Sequence, residues 1–385
     1  MSSLGELASS PTPFQPTQEV TAIVSTRDRL AALLERWSGR PTLFAVAVMN
    51  VITGLGLGAG IAAANFGGDS GLYRRCALLL AEGRTDFCGF LYSPLTALVA
   101  RPLTWVSPTT AIVAMTLIGV AILLAGVMLE TRGQAVIDRV LVAVAALTFA
   151  PVVYELLLGQ TTLLIAATLY LVTRRSDGFR NGIPFGIALA LAPKPLLFPI
   201  LVWMLVWRRR ALMGTVVATL TLTAVGVALL GLDQYREWIS ALTGAGRESV
   251  AGTFGLSLHG NFSIWPLNPA TLLLACAVAA ATLWTIVRDP SRGFVAALLA
   301  GLLLAPYSGL YAFSILLLAV KPALAFAPRA TRALALTANL AGALIGVLTA
   351  WAVAGVVTCL SWRWRSVGPG LKPFHSRDSS QDGQP

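Results

Sequence analysis

Long apolar runs separated by short polar connections are the dominant pattern of this chain. The first run covers residues 41–64 and is followed by a polar stretch. The later runs lie near residues 109–129, 140–157, 161–173, 182–192, 196–207, 211–231, 269–287, 293–305, 312–327 and 333–358. Continuous runs favour membrane-spanning helices, because a transmembrane barrel would show alternating segments of about ten residues. The pattern therefore predicts an all-α polytopic membrane protein with about eleven transmembrane helices.

The composition indicates the same class. Hydrophobic residues make up 56% of the chain and charged residues 12%, with a mean hydropathy of +0.75. A soluble globular protein of this composition could not keep its surface wetted. The net charge of +11 comes mainly from arginines at the ends of the apolar runs, as is typical of cytoplasmic loops. Because no basic, aromatic-interleaved surface accompanies them, we expect the lipid bilayer as a partner and no nucleic acid.

The polar segments divide the chain into a membrane domain and two tails. Residues 1–40 are predicted to form a disordered cytoplasmic tail, residues 41–360 the transmembrane domain, and residues 361–385 a polar disordered tail. With the arginine clusters inside the cell, residues 65–108 and 232–268 form two large loops on the outer side. Functional residues in these loops would therefore face away from the cytoplasm.

Polar side chains gather on this predicted outer side from distant parts of the chain. The candidates are Asp69, Tyr73 and Tyr92 from the first loop, Gln160 and Lys194 from breaks between apolar runs, His259 and Asn261 from the second loop, and Tyr307 and Tyr311 from a later turn. Such a set could form one pocket. There a carboxylate can take a proton from a hydroxyl nucleophile, while a lysine and an amide hold a phosphate.

Each candidate also has a structural interpretation. Asp69 could cap the helix that follows it, Gln160 could satisfy loop backbone, and His259 could be a structural or solvated loop residue. Lys194 is harder to explain in this way, because a lysine at membrane depth without an acid beside it in the chain needs an anion or water nearby. The tyrosines could instead be interfacial aromatics, namely Tyr92, Tyr307 and Tyr311.

The sequence predicts no metal ion and no other cofactor. No cluster of carboxylates is present to hold a metal ion, and the four cysteines lack metal-ligand spacing. Two of them, Cys76 and Cys88, fall in the same outer loop. They could form a disulfide in an oxidising compartment or remain two thiols.

The order of motifs resembles glycosyltransferase family 87, the polyprenol-phosphate-mannose-dependent alpha-1,2-mannosyltransferases of the multi-spanning class. The motifs are Asp69 to Tyr73, Tyr92-Ser93-Pro94-Leu95, Pro151 to Gly159-Gln160, Pro193-Lys194-Pro195 before an arginine triplet, Asn261-Phe262-Ser263, and Pro306-Tyr307-Ser308. Each motif is weak alone, whereas six in order are a stronger signal. The resemblance covers approximately residues 41–330.

The resemblance implies sugar transfer on the outer face of the cytoplasmic membrane. The donor would be a polyprenyl-phosphate sugar, most often mannose and in some relatives arabinofuranose, and the acceptor an envelope glycolipid or lipoglycan. By analogy, Asp69 deprotonates the acceptor hydroxyl, which attacks the anomeric carbon with inversion. Lys194 and Gln160 would stabilise the leaving lipid phosphate. Such a reaction needs positioning, one base and fixed positive charge.

The chain departs from the family pattern in its late motif. Family members usually carry a tryptophan and a histidine shortly after the late Pro-Tyr-Ser motif, whereas this chain has Gly309-Leu310-Tyr311. His259 is a hypothetical substitute for the missing imidazole.

Two alternatives to a glycosyltransferase remain. One is a transporter or flippase for a lipid-linked sugar, which should show pseudo-symmetric halves. The other is a catalytically degenerate relative that binds a polyprenyl lipid.

Overall fold

The computed structural model describes residues 40–65, 67–82, 92–248, 269–305, 310–326 and 340, and the regular secondary structure of these residues is helical, without a strand. The α-helices are α1 Arg40–Asn65, α2 Gly68–Ala81, α3 Pro94–Val99, α4 Pro108–Glu130, α5 Val136–Leu147, α6 Ala150–Leu158, α7 Thr162–Arg174, α8 Phe179–Leu191, α9 Phe198–Trp207, α10 Arg209–Leu230, α11 Leu232–Glu248, α12 Pro269–Arg288, α13 Pro290–Leu304 and α14 Leu317–Phe326. Three 3-10 segments are Arg101–Trp105, Pro195–Leu197 and Leu310–Leu316. The all-α prediction is confirmed for this part of the chain.

Two of the described helices, α4 and α10, are long and apolar enough to cross a membrane. The helices α5 and α6 qualify together, but they are bent by 61° at the break between them. The run near residues 140–157, predicted as one span, is therefore bent: Pro151 lies in the first turn of α6, where its missing N–H costs nothing, and it cannot continue the preceding helix. The predicted count of about eleven spans is not confirmed, because several other apolar helices are only 10–17 residues long.

The two predicted outer loops contain helices where the structure describes them. The first loop holds α2, α3 and a 3-10 segment, and the second begins with α11. The remainder of the second loop, the predicted tails except Arg40, and nearly all of the last predicted span lie outside the described residues.

Helices α8 and α10 form the closest pair in the bundle, because glycines line their contact. A Cβ atom on Gly182 would overlap the carbonyl oxygen of Ala211, and one on Gly214 would overlap that of Phe179. The Thr215 hydroxyl donates a hydrogen bond of 3.0 Å to the Gly182 carbonyl oxygen. Small residues that allow backbones to approach are characteristic of helix pairs in membranes, and this contact holds α8 firmly against the bundle.

At one end of the bundle, basic side chains converge on a carboxylate. Glu130, which ends α4, pairs with Arg174 of α7 (Nε to Oε1, 2.8 Å) and with Lys321 of α14 (Nζ to Oε2, 2.9 Å). It also accepts a hydrogen bond of 2.7 Å from the Tyr170 hydroxyl. This Glu130 cluster ties three helices together at the end where the arginine-bearing connections lie.

Candidate active site

A second group of helix ends meets around the polar residues singled out from the sequence. The N–H of Gly67, just before α2, donates a 2.8 Å hydrogen bond to the carbonyl of Leu157 near the end of α6. The N–H of Ser93, just before α3, donates a 3.2 Å hydrogen bond to the carbonyl of Leu191 at the end of α8. These bonds bring the first predicted loop onto the breaks that precede α7 and follow α8.

Asp69 lies in the first turn of α2 and is partly buried. It does not occupy the capping position, which belongs to Gly67. Outside the membrane-spanning helices, burial raises the pKa of Asp69 to about 6, and the nearby positive charge of Lys194 opposes this rise. An aspartate in such surroundings is suited to accept a proton near neutral pH.

Lys194 lies between α8 and the 3-10 segment Pro195–Leu197. Its Nζ atom donates a 2.8 Å hydrogen bond to Oγ1 of Thr162, at the start of α7. Its ammonium group is within electrostatic range of the carboxylates of Asp69 and Glu155. The lysine therefore has acids near it in space, although none stands beside it in the sequence.

Aromatic rings surround the ammonium group of Lys194. The Nζ atom lies 4.8 Å from the ring centroid of Tyr311 and 5.8 Å from that of Tyr92, within the range of cation–π attraction. Tyr73 packs edge-on against Tyr92 with centroids 5.3 Å apart, and Tyr154 stacks on Tyr311 at 6.3 Å. Tyr92 and Tyr311 thus pack beside the lysine.

Gln160 follows Gly159 in the turn between α6 and α7. Its Oε1 atom accepts a hydrogen bond from the Tyr92 hydroxyl, so its side chain does more than satisfy loop backbone. Gly159 has a φ of +74°, which favours glycine, and this left-handed residue ends α6 as a C-cap. Gln160 and Thr162 are separated by one residue of this turn. Gln160 bonds Tyr92, and Thr162 bonds Lys194.

Glu155 is the residue that sequence reasoning missed. Its side chain is buried, with only 1% of its surface exposed, and its oxygens accept hydrogen bonds from the Leu163 N–H and the Ser314 hydroxyl. A carboxylate inside an apolar run was an available signal, because ionisable residues in membrane segments are costly. By contrast, Thr162 and Ser314 carry no such signal, since hydroxyls are common in these helices.

The structure thus brings together Asp69, Tyr73, Tyr92, Gln160, Lys194 and Tyr311. The other three candidates, His259, Asn261 and Tyr307, lie outside the described residues. Cys76 is disulfide-bonded, while Cys88 also lies outside them. Across the described ranges, no group of three or more His, Cys, Asp or Glu residues could hold a metal ion.

The arrangement can separate two chemical tasks. A partly buried carboxylate and a lysine lie within electrostatic range of each other, at one set of helix ends, among aromatic rings. The carboxylate can accept a proton, and the ammonium group can hold an anion. A reaction that removes a proton from one group while negative charge develops on another would use both residues.

Comparison with known proteins identifies the family. No curated protein and no solved structure matches the chain. The model of glycosyltransferase family 87 matches residues 90–307, which is more than half of the 385 residues and includes the Tyr92, Gln160 and Lys194 segments. The protein is therefore a membrane glycosyltransferase, and the chain belongs to glycosyltransferase family 87.

Proposed function

We propose that this protein transfers mannose, in alpha-1,2 linkage, from a polyprenyl-phosphate donor to an envelope glycolipid or lipoglycan. The observation that carries the proposal is that Asp69 lies within electrostatic range of Lys194 at one set of helix ends in a family 87 glycosyltransferase. One residue can serve as the base and the other can receive the phosphate. Family resemblance supports mannose as the sugar, with arabinofuranose as the competing choice.

Asp69 acts as the general base in this scheme. Its carboxylate takes the proton of the acceptor hydroxyl as the hydroxyl oxygen attacks the anomeric carbon of the donor sugar. The bond from the anomeric carbon to the phosphate oxygen breaks, and the polyprenyl phosphate leaves from the opposite face. One displacement of this kind inverts the anomeric configuration, and it requires mainly a positioned base and stabilisation of the leaving group.

Lys194 and Gln160 hold the leaving phosphate. A lysine ammonium group has three N–H donors, and the hydrogen bond to Thr162 uses one of them. The remaining two can point to phosphate oxygens. Gln160 accepts from Tyr92 through Oε1, so its amide nitrogen is the atom we assign to phosphate binding. Because phosphate charge increases as the bond breaks, these donors stabilise the transition state more than the bound donor.

The aromatic residues form the walls of the sugar site. Tyr92 and Tyr311 lie beside Lys194, and Tyr73 packs edge-on against Tyr92. We assign these three tyrosines to the substrate pocket, together with Tyr307, His259 and Asn261. We place the pocket on the outer face of the cytoplasmic membrane, because the arginine-bearing connections lie at the other helix ends and positive charge is retained in the cytoplasm.

Membranes that contain the parent protein or its Asp69→Asn variant provide the test. Each is supplied with radiolabelled polyprenyl-phosphate mannose and a crude envelope-lipid acceptor extract. We expect labelled product from the parent and none from the variant. The matched control is Asp233→Asn, which removes a carboxylate whose side chain is 88% exposed on α11 and should leave product formation unchanged.

The outcomes distinguish the alternatives. Equal product from the parent and Asp69→Asn would contradict the assignment of Asp69 as base. If product forms only with polyprenyl-phosphate arabinose, the transferred sugar is arabinose and the proposed mechanism still holds. If the parent yields no product with either donor and the same extract supports transfer by another family 87 enzyme, the chain is a degenerate relative and the proposed activity is wrong.

A further inference from the structure

Glu155 connects the two segments that flank Lys194. It lies on α6, and its side chain is almost completely buried at 1% exposure. Its side chain therefore presents almost no surface to the acceptor hydroxyl or the lipid phosphate. A buried carboxylate is nevertheless costly unless its oxygens are satisfied, so the identity of its partners indicates what it does.

One carboxylate oxygen of Glu155 organises the start of α7. Oε1 accepts a hydrogen bond from the Leu163 N–H, and the backbone carbonyl of Glu155 accepts 3.0 Å hydrogen bonds from the N–H groups of Gly159 and Gln160. The residue therefore holds the α6–α7 turn through both its side chain and its backbone. Thr162, whose hydroxyl accepts from Lys194, lies within this turn region.

The other oxygen fixes a segment more than 150 residues away in the chain. Oε2 of Glu155 accepts a hydrogen bond from the hydroxyl of Ser314, which is fully buried. Ser314 belongs to the 3-10 segment Leu310–Leu316, one turn after Tyr311. The ring centroid of Tyr311 lies 4.8 Å from the Lys194 ammonium group, closer than that of Tyr92. The hydrogen bond from Ser314 to Glu155 thus fixes the segment that carries Tyr311.

We propose that Glu155 is a positioning residue that holds Thr162 and Tyr311 on either side of Lys194 through its hydrogen bonds to Leu163 and Ser314. This inference rests on the proposed role of Lys194 in binding the donor phosphate. Loss of the two bonds releases both segments, so the ammonium group no longer points at the phosphate.

Glu155 lies within electrostatic range of Lys194, but the direct contacts of its carboxylate oxygens are hydrogen bonds to other groups. Both oxygens of Glu155 are engaged by Leu163 and Ser314, and the hydrogen-bond acceptor of Lys194 in the described structure is Thr162 rather than a carboxylate. A glutamine at position 155 can accept from the Leu163 N–H and donate to the Ser314 hydroxyl. It therefore preserves both connections while removing the charge.

The test measures donor and acceptor kinetics of Glu155→Ala, Glu155→Gln and Ser314→Ala. We expect Glu155→Ala to raise the KM for the donor by about tenfold or more, with the KM for the acceptor unchanged. Ser314→Ala removes one of the two bonds and should raise the donor KM by a smaller factor. Glu155→Gln should restore a donor KM within about twofold of the parent.

Two reference variants separate this inference from the proposal on which it depends. Lys194→Gln must raise the donor KM, since an unchanged value would overturn the phosphate-binding role of Lys194 itself. Glu130→Gln alters the Glu130 cluster and should leave the donor KM unchanged, which excludes general loosening of the bundle as the cause.

Three results would overturn the role of Glu155 while Lys194 retains its own. The first is an unchanged donor KM in Glu155→Ala. The second is an unchanged donor KM in Ser314→Ala, a conservative variant that remains informative where Glu155→Ala fails to fold. The third is a Glu155→Gln variant as impaired as Glu155→Ala, which would assign the effect to charge instead of hydrogen bonding.

Discussion

Gly159 and Ser70 lie so close together that a Cβ atom on the glycine would stand 2.8 Å from the Cβ atom of the serine. Ser70 directly follows Asp69 in the first turn of α2, and Gly159 precedes Gln160 in the α6–α7 turn. The absence of a side chain at Gly159 therefore allows the helix that carries the proposed base to pack against the turn that carries a proposed phosphate ligand.

Gly159→Ala is expected to lower both activity and stability. The new methyl group would push α2 away from the turn, and the φ of +74° would cost an alanine about 1–2 kcal/mol. Displacement of Asp69 should reduce kcat, measured with labelled donor, by about tenfold or more. The control is Gly71→Ala on the same helix, where an added Cβ meets no atom within 4 Å. Similar losses in both variants would contradict this explanation.

The pH dependence of the reaction should reflect Asp69. Because burial raises its pKa to about 6, the base is protonated and inactive below that pH and ionised above it. We expect kcat/KM to rise with pH through about 6 and then level off. Lys194 opposes the rise in the pKa of Asp69, so Lys194→Gln should move this transition to higher pH. A transition near pH 4 in both proteins would contradict the prediction.

Tyr92→Phe should weaken donor binding while preserving the fold. The substitution removes the hydroxyl that donates to Gln160 and retains the ring beside Lys194. Gln160 then loses its orientation, and we expect the donor KM to rise about three- to tenfold. Steady-state kinetics with varied donor provide the measurement. The matched control is Tyr170→Phe, which removes the hydroxyl that donates a hydrogen bond to Glu130. It should leave the donor KM unchanged.

Gly214→Ala tests the close contact between α8 and α10. Its Cβ atom would overlap the carbonyl oxygen of Phe179, so the two helices would have to separate. We expect a loss of about 1–3 kcal/mol of stability, seen as a lower thermal melting temperature in detergent. Gly126→Ala lies on α4 with no atom within 4 Å of the new Cβ and should not lower the melting temperature. Equal stability of the two variants would show that the helices tolerate separation.

Sequence reasoning located part of the site because polar residues in an apolar chain are conspicuous. Asp69, Gln160 and Lys194 stand where apolar runs break, and the structure brings all three together. Glu155 carries a comparable signal but lies inside an apolar run, which predicts a span and not a site. The count of spans was the weaker inference, because hydropathy does not reveal where a proline such as Pro151 bends one run into two helices.

The sequence by itself determined that the chain is a helical membrane protein and, through the order of its motifs, a member of glycosyltransferase family 87. Hydrophobic run length and the order of polar breaks are properties of the chain alone. Only the tertiary structure decided that Glu155 joins Leu163 to Ser314 and that Thr162 and Tyr311 flank Lys194. Such contacts depend on how helices far apart in the chain pack against each other. The sequence alone does not indicate which residue a given hydroxyl or backbone N–H will bond.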